Sequence, residues 1–176
     1  MRLLKLVIIF MFLFNAISYA QQVNTGKTIM SGSLQVTHTP LSLKDVPKEL
    51  IEKLNYPYVR FYRTDVKNNT DRPIKIIWFD GYFSYEGRWY ASNVRNKVLQ
   101  TKDFLDWYSK DDILSDGWLR PGGTASCYVN WHWTETEQDI NTKWAYIGID
   151  SQSHDFFAEA VVPEIKPERI KAPTNR

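Results

Sequence analysis

Some seven short runs rich in β-branched and aromatic residues, each closed by a turn signal, follow one another between residues 34 and 162. Such a chain cannot bury its apolar side chains within any one element, so it must stack layers of strands. The clearest run is residues 125–134, where Ala125, Cys127, Val129, Trp131 and Trp133 alternate with Ser126, Tyr128, Asn130, His132 and Thr134. Period two means that one face is buried and the other meets water. On this reading Cys127, Trp131 and Trp133 share the core face.

The other runs have the same character. Residues 34–43 are short and mixed, with some strand character. Residues 58–66 and 74–79 flank the turn-rich stretch Lys67-Asn-Asn-Thr-Asp-Arg-Pro73, which predicts a hairpin. Residues 82–85 and 88–92 flank Glu86-Gly87, a tighter connection of the same kind. Residues 143–149 and 156–162 complete the series. Two short helical segments interrupt it. Val46, Leu50 and Leu54 recur on one helical face, with Asp45 placed to cap it and Pro47 suited to a first turn. Residues 101–109 read as a helical turn or a loop, with Thr101 as a cap and Phe104 and Tyr108 four apart. The pattern predicts an all-β, immunoglobulin-like antiparallel β-sandwich of about seven strands with one or two short helices; a barrel is the alternative.

The first twenty residues are different. Arg2 and Lys5 precede an unbroken apolar run over residues 6–14, and Ser18-Tyr19-Ala20 puts small residues where a signal peptidase reads them. Asn15 ends the run well short of the roughly 20 apolar residues that a membrane helix needs. A signal peptide over 1–20, cleaved after Ala20, is therefore expected, followed by a flexible lead over 21–33, a single sandwich domain over 34–163 and a flexible charged tail over 164–176. Cleavage removes two basic residues and no acidic one, leaving a formally neutral chain that is periplasmic or secreted and has no membrane span. Clustered excess Lys and Arg is absent, so nucleic acid is not an expected partner. Cys127 is alone and has no intramolecular disulfide partner.

Signatures of catalysis are absent: there is no phosphate-binding glycine loop, His-Glu-x-x-His, Gly-x-Ser-x-Gly or Cys-x-x-Cys. His38, His132 and His154 lie far apart in sequence, and neither a metal site nor a cofactor is expected. The acids Asp103, Asp106, Asp111, Asp112 and Asp116 do not have the spacing of a calcium loop and read as a solvated acidic loop. Asp80 and Glu86 are the sort of carboxylate pair that sugar hydrolysis uses, although any chain with 20 acids offers such pairs. Asn68-Asn69-Thr70 matches a glycosylation acceptor and also suits a turn.

The unusual feature is aromatic content, 15% of residues, with all seven Trp between positions 78 and 144. Trp131 and Trp133 are assigned to the core by alternation. Trp107, Tyr108 and Trp118 flank the acidic loop and, if exposed beside Asp111 and Asp112, form a ligand platform; the competing reading has them plugging one end of the sandwich. The polar face of the 125–134 strand, with Tyr128, Asn130 and His132 in line, is a second candidate surface. The expected function is an exported, non-catalytic binding or interaction module contacting carbohydrate or an envelope protein. The alternatives are a small secreted hydrolase with a carboxylate or histidine site and a structural assembly component.

Overall fold

The computed structural model describes residues 32–92, 94–137, 140–164 and 166–170. The expected signal peptide, residues 21–31 of the lead and residues 171–176 of the tail lie outside the described residues. The elements run β1 (Leu34–Leu41), α1 (Lys48–Lys53), β2 (Tyr58–Asn68), β3 (Lys75–Tyr85), β4 (Arg88–Ala91), β5 (Leu99–Gln100), α2 (Thr101–Trp107), β6 (Thr124–Thr134), β7 (Thr142–Ile149), β8 (Asp155–Val161) and β9 (Glu168–Arg169). Among the described residues they build two antiparallel sheets. One has the order β1-β2-β6, with β9 also pairing with β2. The other has the order β4-β3-β7-β8, with β5 also on β3. This is the expected immunoglobulin-like sandwich.

The Glu86-Gly87 connection is a two-residue hairpin turn in which both residues take positive φ, 50° and 73°, as the twist of a tight hairpin demands. The other expected hairpin does not form: β2 and β3 lie in opposite sheets. Asn68 decides this. Its buried side-chain amide donates to the carbonyls of Arg72, Leu119 and Arg120, and its Oδ1 accepts from Thr70, so the chain climbs between sheets instead of folding back. The same burial takes Asn68 out of reach of glycosylation.

The main core lies between the sheets, around Phe79, Tyr146, Phe104, Tyr62 and Val66. A second, smaller cluster covers the outer face of the β1-β2-β6 sheet, where Val46 and Leu54, on either side of α1, meet Val59 and Phe61 of β2. Thus α1 packs on the domain as its apolar face predicts, but its N-cap is Pro47; Asp45 sits in a preceding 3-10 turn and accepts from Ser42. For α2 the cap is Gln100, in a capping box with Asp103, and Thr101 donates instead to the Ile76 carbonyl. Residues 168–170 are also more ordered than a loose tail: β9 pairs with Tyr58 and Val59 beyond the end of β1, and Ile170 packs on the second cluster.

The alternation of β6 breaks in the middle. Tyr62 pairs with Asn130 and Thr64 with Cys127, so β6 carries one extra residue, a β-bulge. Before it Ala125 and Cys127 face the core; after it Asn130 and His132 face inward, while Val129 and Trp131 turn to the second cluster. Trp133 is exposed, stacked on Tyr56. The expected placement of Trp131 and Trp133 beside Cys127 is corrected by this one residue.

Cys127 itself is buried, and burial pushes its thiol up to about 11 against a weaker opposing effect of the Val129 backbone. Thiol labelling of the native protein should therefore be slow and accelerate sharply in denaturant. Fast labelling of folded protein would contradict this position.

Candidate functional site

The structure does not bring the loop aromatics together as a surface platform. Tyr108 is 4% exposed, stacks on Phe104 at 4.2 Å and shares a 2.5 Å hydrogen bond with the Tyr146 hydroxyl. Trp107 is half-buried, edge-on to Phe79 and Trp144. Trp118 is half-buried with the Lys75 ammonium over its ring. Asp112 pairs with Arg120 and accepts from the Thr124 amide at 2.7 Å, tying the loop to the start of β6, and Asp111 is exposed. Helical spacing accounts for this: Phe104 and Tyr108 lie one turn apart on the face that α2 buries.

The second candidate surface is split by the bulge. Tyr128 points outward, 56% exposed, with the Arg63 guanidinium over its ring. Asn130 faces inward and donates to Thr64. His132 also faces inward, 3.4 Å from the Thr142 hydroxyl of β7. His38 joins it across Tyr62, bonded to Thr64 and to the Ala160 carbonyl, whereas His154 is held elsewhere by Asp150. Burial, the larger influence, depresses His38 to about 4 and His132 to about 3, so both are neutral near pH 7. Among the described residues no group of three or more His, Cys, Asp or Glu side chains is placed to hold a metal.

The most unusual chemistry lies on the outer face of the β4-β3-β7-β8 sheet. Register places Asp80, Ala145 and Glu159 in one cross-strand row, and Tyr82, Lys143 and Val161 in the next. Trp78, Ile147 and Phe157 form the row on the other side. A polar row thus runs between two rows that carry rings. The Lys143 ammonium sits 4.9 Å from the Trp89 ring centroid and 5.6 Å from that of Tyr82, and pairs with Glu159 at 2.7 Å. Asp80 is only 9% exposed. Burial raises its carboxyl to about 6, against the single backbone N–H of Gly81 that favours the ionised form. Burial, with the Asp80 and Glu159 charges, pushes the Tyr82 hydroxyl up to about 12.

Next to this face the β3–β4 hairpin carries further rings. Phe83 and Tyr90 stack on its other side, both exposed, and Tyr85 at 62% and Trp89 at 39% are open to solvent. Glu86, the other acid of the example pair, sits in the hairpin turn six residues along the chain, roughly 20 Å away in an extended strand. The acid in the Asp80 row is Glu159, from a strand that pairs only through β7.

No protein-family model matches the chain, and no curated protein matches it. Among solved structures the chain is similar to the ApaA protein of Bordetella pertussis, with 15% identity over 75% of this chain and 94% of that one, at a TM-score of 0.41. So distant a likeness transfers no property to this chain.

Proposed function

We propose that this chain is an exported, non-catalytic binding module of the cell envelope or extracellular space that meets its partner through the outer face of the β4-β3-β7-β8 sheet and the adjoining hairpin. The observation that carries this reading is the set of exposed rings on one short hairpin, with Trp89 beside the row of charged groups and Phe83, Tyr85 and Tyr90 on the hairpin's other side. Exposed aromatics of this kind bury large area on contact at little cost in side-chain freedom. Export is supported by the order of charge, apolar run and small residues in the first twenty positions.

The hydrolase alternative has one feature in its favour, a carboxyl raised to about 6 in the same row as a second acid. Those acids flank Ala145 across three strands of one sheet face, and Glu159 is engaged by Lys143. The arrangement suits contact better than bond cleavage.

Trp89→Ala and Tyr90→Ala should each change stability by less than about 1 kcal/mol, because both rings are exposed, while a lost contact residue weakens binding tenfold or more. Thermal unfolding, followed by binding to glycans and envelope proteins retained by wild type, reads both effects. Full retention of every such interaction by both variants would remove the face from consideration, and an uncleaved Met1 form as the main cellular species would remove export.

A further inference from the structure

Asp80 is nine-tenths buried, and its Oδ1 accepts from the Gly81 amide at 2.8 Å. Among the described residues no Lys, Arg or His forms an ion pair with this carboxylate, and its Oδ2 is not one of the fully enclosed side-chain atoms. The lysine in the neighbouring row, Lys143, is committed to Glu159. Lys143 and Glu159 neutralise each other, so the face carries one uncompensated, desolvated negative charge. Leaving such a group unpaired is costly, and a sheet face is where a ligand can supply the missing partner. The same face shows what it accepts: the Tyr82 and Trp89 rings with Glu159 already hold one alkylammonium, that of Lys143.

We infer that Asp80, beside the Tyr82 and Trp89 rings, is a subsite for a lysine or arginine side chain on a basic peptide segment of the partner. The inference rests on the binding-module reading and deepens it by naming the partner's chemistry. The incoming cation pairs with Asp80 while its stem lies along the neighbouring rings. A neutral glycan would use the rings alone and leave the buried carboxylate uncompensated. Tyr82, Lys143 and Glu159 are the titratable groups that face Asp80 across the sheet, and burial raises the Asp80 carboxyl to about 6.

The test is calorimetric titration with hexalysine and hexaarginine peptides at low salt, with hexaglutamate as control. Wild type should bind both basic peptides and not hexaglutamate, and affinity should fall about tenfold between pH 7.5 and 5 as Asp80 takes up a proton. Asp80→Asn should weaken binding at least tenfold at pH 7.5 and abolish that pH dependence. Asp71→Asn, at a fully exposed acid elsewhere, should change neither. In wild type the carbon-13 titration of the Asp80 carboxyl should move to lower pH when hexalysine is saturating. Equal loss in Asp71→Asn, unchanged binding in Asp80→Asn, or an unmoved Asp80 titration overturns the inference. If neutral polysaccharide binds in a way that needs Trp89 but not Asp80, the cationic subsite is wrong while the contact face stands; if Trp89→Ala leaves all binding intact, the face itself is wrong.

Discussion

Phe79→Ala is expected to cost about 3 to 5 kcal/mol, the range for deleting a fully buried ring and leaving a cavity. The Phe79 ring meets Phe104, Trp107, Tyr108, Trp144 and Tyr146, with centroids between 5.4 and 6.1 Å and a nearly parallel stack on Tyr146. These partners come from α2, β7 and the residue that ends α2, so the ring joins the helix to the sheet. A domain of this size has about 5 to 15 kcal/mol in total, and the loss should lower the unfolding midpoint by more than 10 °C or prevent folding. Phe79→Leu, which keeps most of the volume, should cost much less. Trp133→Ala, at an exposed ring, should cost less than about 1 kcal/mol. Similar denaturant midpoints for Phe79→Ala and Trp133→Ala would show that the centre of the core lies elsewhere.

Stability should also fall between pH 7 and pH 5. His38 and His132 are depressed in the folded state to about 4 and about 3, from an ordinary 6.5, with burial the main cause and the Arg60 guanidinium adding to it for His132. A group depressed on folding contributes stability that is intact above its unfolded pKa and is lost as pH falls towards the folded one. Each histidine therefore forfeits about 2 kcal/mol by pH 5, when the unfolded chain binds protons that the folded one refuses. Asp80 acts in the opposite sense: raised to about 6, it destabilises when ionised and returns about 1 kcal/mol as it protonates. The net loss is about 2 to 3 kcal/mol, a drop in unfolding temperature of about 5 to 10 °C. The His38→Gln/His132→Gln double variant should flatten the profile, and Asp80→Asn should steepen it. A midpoint independent of pH over this window, or a profile unchanged in these variants, would place both imidazoles in water.

Several features were legible because they depend on neighbours in sequence. Glu86-Gly87 announces a turn through local dihedral preference, and Cys127 is core because alternation holds from Ala125 to Cys127. Phe104 and Tyr108 are spaced for one helix face, although the polar surroundings of Tyr108 made it look like a surface ring. Trp131 shows the limit. One bulged residue between Cys127 and Asn130 reverses every side chain beyond it, and a period of two cannot reveal a slip that only the pairing with β2 defines. Asn68 shows another limit, since its composition as a turn residue is the same whether the loop returns to its own sheet or crosses to the other.

Strand content, tight turns and the two-layer class were determined by the sequence alone, because strand propensity and alternation act over a few residues. Tertiary structure decided which strands pair and so what each face displays. Asp80 and Glu159 are far apart in the chain and share a row only because β7 lies between β3 and β8. His38 and His132 flank the Tyr62 ring only because β2 lies between β1 and β6. Long-range pairing is selected by burial summed over whole faces, a quantity that no local segment contains.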